Sequence, residues 1–416
     1  MSRPLQVGID ARMRPDLFGG VSTVVIGLAS GLARLPDGDE EYAFLVDAQY
    51  GSDWLEPYLD GRSRVLTTVT SRRPLRRKLR SAARRAHWRI RPEARRRLEV
   101  PRSDGTVERA GLDVMHFVRQ TGFLTTVPTL FNPHDLQHVH LPHLFEPHKV
   151  RTRTELYRLL GERASIVGVQ TTWVKEDVMR HLGVPEEKIR IVPLAPILDA
   201  YPTPTAADRA RARETLCLPD AFVYYPAQTW PHKNHLRLLE ALALLRDRHG
   251  VDVQLVSSGR KDDAFFGTIE RRVEELELGG QVRFLGFVDP LEVRCLYELC
   301  RCVVIPTRFE ANSLPLWEAF LAGAPAACSN VTSLPAQAGD AALVFDPDDV
   351  SGMAEAVRRL WTDEELRRTL AARGRTNVAR FSWERTARTY RALYRDIGGR
   401  ALDEDDRELL AAPPPF

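Results

Sequence analysis

The feature that most constrains this 416-residue chain is a repeated alternation of short apolar runs with helix-like segments. The runs lie at Leu5–Asp10, Tyr42–Val46, Arg64–Thr68, Leu112–Phe117, Pro128–Phe131, Ala164–Val169 and Ile191–Leu194. That order predicts an α/β fold built on a doubly wound parallel sheet. A second strand and helix series begins at Phe222–Pro226, after Tyr201–Thr205, whose Pro and Thr residues read as a linker. The length accommodates two domains, each with a core of its own.

Composition narrows the class. Apolar residues make up 44% and charged residues 28%, an ordinary globular balance, and a net charge of +3 does not mark a nucleic-acid binder. The five cysteines, Cys217, Cys295, Cys300, Cys302 and Cys328, are odd in number, lack zinc spacing and sit mostly in apolar runs. They suit buried thiols in a reducing, cytoplasmic compartment. The longest apolar region, Val21–Leu35, is broken by Ser22, Thr23, Gly27, Ser30 and Gly31, so neither a signal peptide nor a transmembrane helix is expected.

Between the strands at 64–68 and 112–117 the composition changes. From Arg72 to Arg97 there are thirteen Arg or Lys residues against one acid, Glu93, with Leu75, Leu79, Trp88 and Ile90 interspersed. Such a segment can lie on an anionic membrane or meet a lipid-linked acceptor, form a solvated insertion that binds nothing, or grip nucleic-acid phosphates.

Four stretches carry the chemistry. The first strand leads through a loop to Gly19-Gly20-Val21-Ser22, where a helix starts and its orphan N–H groups face an anion; a plain tight turn is the other reading. After the strand at 128–131 comes Asn132-Pro133-His134-Asp135-Leu136-Gln137-His138, followed by His140, His143 and His148. This run follows no zinc pattern, and no metal is assigned to it. In the second series, Gln228-Thr229-Trp230-Pro231-His232-Lys233-Asn234 precedes an amphipathic helix, Leu236–His249. There Lys233 can neutralise a phosphate and Asn234 can cap the helix.

The fourth stretch is Arg308-Phe309-Glu310-Ala311-Asn312-Ser313-Leu314-Pro315-Leu316-Trp317-Glu318, after the apolar run Cys302–Pro306. Pro315 and Gly323 bracket a short helix. Asn312, Ser313 and Leu314 would aim backbone N–H groups and the positive helix end at an anion. Glu310 precedes the helix, and Glu318 lies about one turn into it. Two such acids also suit a solvated loop and a helix dipole.

The spacing Glu310 to Glu318, with Ser-Leu-Pro and Ala-Gly-Ala-Pro around it, resembles the E-x7-E signature of retaining, nucleotide-sugar-dependent glycosyltransferases of family 4, which includes many mannosyl- and glucosyltransferases. The resemblance covers most of the chain in matching order. It implies the GT-B fold: two Rossmann-like domains facing a cleft, with a C-terminal helix crossing back to the first. The corresponding domains would be 1–200, on the acceptor side with a basic insertion at 70–102, and 201–381, which binds the nucleotide sugar. The crossover helix would be 382–400 and a mobile tail 401–416.

The resemblance also implies roles. Gly19 and Gly20 would lie across the cleft from the donor diphosphate and near the acceptor. His134 would hydrogen-bond the donor sugar, with Asp135 orienting or flanking it. Lys233 would meet the diphosphate, and Gln228 stands where the family usually has a second cation, an arginine. Arg260 and His232 are candidates to replace that charge. Glu310 would contact sugar hydroxyls, and Glu318 the ribose. Gln281–Val288 resembles the strand and turn that meet the base, and Ser329–Ala342 a further family run. Asp346-Pro347-Asp348 reads as helix capping before Val350–Leu360.

By this resemblance the chain is a metal-independent retaining hexosyltransferase with no cofactor, and a GDP-sugar is favoured over a UDP-sugar. The best single donor is GDP-mannose, and the acceptor is a glycan or lipid-linked hydroxyl. The expected location is cytoplasmic, peripheral on the inner face of the membrane through 72–97; nucleic acid is not expected as a partner. A nucleotide-sugar epimerase and a catalytically silent scaffold binding nucleotide or membrane are the competing readings.

Overall fold

A computed structural model describes residues 3–14, 19–68, 100–414 and 416 of the chain. The basic segment 72–97 lies outside the described residues, so its expected membrane contact is not addressed by the fold. The chain forms two units. The first comprises Met1–Val169, Lys175–Val192 and Ala387–Pro413, and the second Gln170–Val174, Pro193–Thr386 and Pro414–Phe416.

The first unit carries a seven-stranded parallel sheet of order β3-β2-β1-β4-β5-β6-β7. Its strands are β1 Leu5–Asp10, β2 Glu40–Asp47, β3 Ser63–Thr68, β4 Val114–Phe117, β5 Thr129–Phe131, β6 Ile166–Val169 and β7 Ile189–Ile191. Val7, Ile9, Phe44, Val114, Leu130 and Val167 are fully buried, as a sheet covered by helices on both faces requires. The last strand begins and ends earlier than the apolar run Ile191–Leu194 suggested. Val167 pairs with Ile189 and Val169 with Ile191. The backbone N–H of Val192 makes a last bond to Val169 at 2.7 Å, and Pro193 has no N–H with which to continue.

The second unit repeats the plan with six parallel strands, ordered β10-β9-β8-β11-β12-β13. These are β8 Val223–Pro226, β9 Leu255–Ser258, β10 Val282–Gly286, β11 Cys302–Ile305, β12 Ala326–Ser329 and β13 Ala342–Phe345. Val223, Leu255 and Val304 pack with Leu238, Leu242 and Leu245 of helix His235–His249 and with Met353 and Val357 of helix Val350–Thr362. All five cysteines are free thiols; Cys217 is exposed, while Cys295, Cys302 and Cys328 are buried.

Strand order reverses at β1/β4 in the first sheet and at β8/β11 in the second. In open α/β sheets a crevice forms outside the carboxyl ends of the strands at such a point. The two reversal points therefore select the loops after β1 and β4 and the loops after β8 and β11.

Helix Trp383–Ile397 presents Trp383, Tyr390, Leu393 and Tyr394 as a fully buried stripe. Its residues up to Thr386 belong to the second unit, where Trp383 Nε1 donates to the Pro196 carbonyl at 3.1 Å. From Ala387 on they belong to the first. There Arg395 binds Glu40 at 2.6 Å and Asp406 at 2.8 Å. Asp406 is part of helix Glu404–Ala411, whose capping box joins Asp403 and Asp406. The acidic run at 403–406 supplies both the cap and the counter-charges to Arg395. Phe416 packs its ring against Trp317 and Phe381.

Capping before Val350–Thr362 also differs in detail. Asp349 caps, accepting from Gly352, whereas Asp346 accepts from the Asp348 backbone and Asp348 pairs with Arg308 and Arg237.

Candidate active site

At the β8/β11 reversal the second unit holds a lysine and a glutamate in contact. Lys233 ends the short turn Pro231–Lys233 after β8, and Glu310 lies in the loop after β11. Lys233 Nζ stands 2.6 Å from Glu310 Oε2, with both side chains less than one-fifth exposed. Tyr225 Oη donates to the Lys233 carbonyl at 2.7 Å. Asn234 does not cap the following helix with its side chain, as its position suggested. It takes a left-handed conformation, and its amide donates to the carbonyls of Pro306 and Pro347, 2.9 Å each. Three loops at the carboxyl end of the sheet are thereby tied together.

The Glu310 loop is held from beneath by residues 332–337. Glu310 N–H donates to Thr332 Oγ1 at 3.2 Å, and that hydroxyl donates back to the Glu310 carbonyl at 2.5 Å. Gln337 clamps Ser313 twice, accepting from its N–H at 2.9 Å and donating to its carbonyl at 2.7 Å. This corrects one expectation: the Ser313 N–H is already spent within the protein and is not open to an anion. Ser313 Oγ makes no cap, and both polar atoms of the Asn312 amide are buried without a partner. Leu314 begins helix Leu314–Ala322, which Gly323 ends in a left-handed conformation (φ 75°) that L side chains disfavour.

Glu318 sits one turn into that helix, almost fully buried, and accepts a 2.7 Å bond from Tyr297 Oη. Burial pushes its carboxyl up to about 7, against the smaller opposing effect of the tyrosine hydroxyl.

The positions around Gln228 decide what can replace the missing arginine. His232 cannot: burial, with Lys233 beside it, lowers its pKa to about 2, so the ring is neutral. Arg260 is the remaining candidate. Gly259 (φ 127°) lets the chain approach so closely that an added Cβ would lie 2.6 Å from the Ala227 backbone and 2.8 Å from Gln228 N. The Thr229 N–H donates to the Arg260 carbonyl at 3.1 Å. The Arg260 backbone therefore lies beside that of Gln228 and Thr229, while its half-exposed guanidinium lies 3.8 Å from Asp263.

In the first unit the β1/β4 reversal gathers residues that sequence reasoning passed over. Asp10, at the end of β1 and fully buried, receives a bidentate contact from Arg12 at 2.8 and 3.0 Å. The Arg12 guanidinium lies 4.9 Å over the Phe123 ring. Gly19 and Gly20 open helix Gly19–Ala33, and a Cβ on Gly20 would meet no atom of the described residues.

His134 follows β5, and its ring lies against the end of β4, where Nε2–H donates to the Val118 carbonyl at 2.5 Å. That bond leaves Nδ1 as the acceptor, and burial lowers the pKa, favouring the neutral ring. Asp135 accepts from the Gln137 N–H at 3.0 Å and so starts the short helix Gln137–His140. Beneath the loop, Asn132 Nδ2 donates to Gly168 at 2.7 Å, while Asn132 Oδ1 contacts His116, whose Nδ1 lies 2.7 Å from Tyr394 Oη.

Among the described residues five non-glycine residues take a positive φ, and three belong to these loops: His134 (58°), Asn234 (62°) and Thr332 (52°). For a β-branched threonine this is costly, and strain of this kind persists only where the surroundings over-determine it.

Residues 208–377, which contain Gln228, Lys233, Arg260, Glu310 and Glu318, match the family model described as glycosyl transferases group 1. Over that stretch the chain is similar to this family. The chain is 29% identical over 254 residues to the O-antigen chain mannosyltransferase B of Escherichia coli, covering 60% of the chain and 66% of that protein. It is 28% identical over 228 residues to the serotype-specific mannosyltransferase WbdA of the same species, covering 54% and 28%. The match thus spans no more than about two thirds of these curated relatives. Sucrose-phosphate synthase from Thermosynechococcus elongatus superposes with a TM-score of 0.70 at 22% identity, over 95% of this chain and 99% of that one. At that identity the likeness establishes the fold, the GT-B pairing of two parallel α/β sheets. Among the described residues no helix is long and apolar enough to cross a membrane.

Proposed function

We propose that this protein is a retaining glycosyltransferase that moves a hexose, with mannose from GDP-mannose the best single donor, to a hydroxyl of a glycan or lipid-linked acceptor. The observation that carries the reading is the contact of Lys233 with Glu310, 2.6 Å apart at the strand reversal of the unit that matches the family. The two mannosyltransferase relatives support the choice of sugar.

In this reading the donor diphosphate takes Lys233 from Glu310, and Glu310 turns to the sugar hydroxyls. Arg260 supplies the charge that Gln228 lacks, and the N-terminus of helix Leu314–Ala322 faces the phosphates. The bond from C1 to the phosphate oxygen breaks as the acceptor oxygen attacks the same face. The acceptor proton passes to the departing phosphate, and preorganised donors hold the charge that develops there. His134, with neutral Nδ1 as acceptor, holds a sugar hydroxyl, and Glu318 receives the ribose hydroxyls. Residues 72–97 would hold the enzyme at the inner face of the membrane, where a lipid-linked acceptor is presented.

The test is a thermal-shift screen of GDP, UDP, ADP and dTDP and their sugars, followed by transfer assays with the nucleotide that binds. A ligand at a hundred times its Kd should add about 2.7 kcal/mol of stability. A shift with no nucleotide would leave the scaffold reading in its place. Interconversion of the nucleotide sugar without an acceptor would mark an epimerase.

A further inference from the structure

Outside the loops already described, the first unit holds a cluster that the glycosyl chemistry does not use. His140 ends the short helix Gln137–His140, while Asp177 and His181 lie four residues apart, hence on one face, in helix Thr172–Leu182. His140 Nε2 stands 2.8 Å and His181 Nε2 3.4 Å from the same oxygen, Asp177 Oδ1. One ligand atom from each residue lies within 4.8 Å of the others, and among the described residues no other group of His, Cys, Asp and Glu meets that condition.

The carboxylate itself points to a missing partner. Asp177 is only 3% exposed, and both imidazoles crowd Oδ1, yet Oδ2 is buried with no hydrogen bond. A buried carboxylate oxygen without a donor is costly. A hydrogen-bonded trio explains the contacts at Oδ1 and leaves Oδ2 unaccounted for. A cation drawing on the two ring lone pairs and Oδ1 can also hold a water that donates to Oδ2.

We propose that His140, Asp177 and His181 form a binding site for a divalent transition-metal ion, with Zn2+ the best match. Two imidazoles and one carboxylate are borderline ligands, suited to Zn2+, Co2+, Ni2+ or Cu2+ rather than to Mg2+ or Ca2+. Tetrahedral zinc bonds of about 2.0–2.2 Å place ligand atoms roughly 3.3 Å apart, and the present separations bracket that value. Both imidazoles are about one-third exposed, which leaves the fourth position to water. The ion would tie helix Gln137–His140, which starts three residues after His134, to Asp177 and His181, and so fix the loop that carries His134. The run of histidines in sequence did not reveal this site because two of its three ligands lie outside the run. His138 is instead buried against Thr154 and Tyr157, and His148 faces Glu146 at the surface.

The full chain, dialysed against a chelator, would be titrated with Zn2+ in competition with a chromophoric chelator, and with Co2+ while its visible d–d spectrum is followed. The expected result is one equivalent per chain, a four-coordinate Co2+ spectrum, and affinity at least tenfold weaker in His140→Gln and in His181→Gln. Both variants should keep the parent circular-dichroism spectrum, since each changes a partly exposed ring, and His148→Gln should bind as the parent does. Failure to bind one equivalent, or equal affinity in the His140→Gln/His181→Gln double variant, would overturn the site.

Discussion

Lys233 Nζ and Glu310 Oε2 lie 2.6 Å apart although 77 residues separate them, because β8 and β11 are neighbours in the sheet and both loops leave its carboxyl end. Either residue alone therefore stands for half of a mostly buried ion pair. Lys233→Met should lower turnover by at least about a hundredfold if it neutralises the leaving diphosphate. It should also cost roughly 3 kcal/mol of stability by leaving Glu310 unpaired, whereas Lys233→Met with Glu310→Gln should recover most of that loss. Urea denaturation of the double-mutant cycle measures the second effect separately from the first.

Glu318 makes stability depend on pH. Its folded carboxyl titrates near 7 against an ordinary value of 4.5, so between those values the native state holds a proton that the unfolded chain has lost. The contribution is complete below pH 4.5 and lost as pH rises through 7, amounting to at most about 3 kcal/mol. Glu318→Gln should flatten that slope in denaturation curves measured from pH 5 to 8. If the ionised carboxylate receives the ribose hydroxyls, GDP affinity should instead rise roughly tenfold from pH 6 to 8, and calorimetry with the Gln variant should show no such rise.

His134 holds a left-handed backbone that asparagine tolerates well. His134→Asn should change stability by no more than about 1 kcal/mol, while kcat/KM falls at least a hundredfold. A variant that is equally stable and equally active would remove this residue from the sugar site.

Tyr394→Phe deletes the hydroxyl that meets the buried Nδ1 of His116, at a cost of about 1–3 kcal/mol for the orphaned nitrogen. Because His116 contacts Asn132, two residues before His134, the same variant should lower kcat with little change in nucleotide affinity. Chemical denaturation and single-turnover transfer read the two effects.

The segment 72–97, with thirteen basic residues and one acid, should carry the chain down with vesicles containing anionic lipid at low salt and release it as salt rises. Substituting six of its arginines by glutamine should abolish pelleting and leave GDP binding unchanged. If the parent chain fails to pellet at low ionic strength, the membrane contact is wrong.

Local chemistry made much of this protein legible in its sequence. The two strand and helix series and the helix bracketed by Pro315 and Gly323 follow from period, propensity and punctuation, which act over a few residues. Glu310 and Lys233 were visible as types at fixed spacing from strand ends. Their contact was not, since sequence distance is silent about which strands become neighbours. The same limit hid the clamp of Gln337 on Ser313 and the cluster of His140 with Asp177 and His181. Folding also changed the chemistry of residues already singled out: burial made His232 neutral and raised Glu318. The sequence by itself determined which elements form and which residue types stand at their ends. Only the tertiary structure decided which side chains meet and in what charge state, because contact and desolvation depend on the sheet order that brings distant loops together.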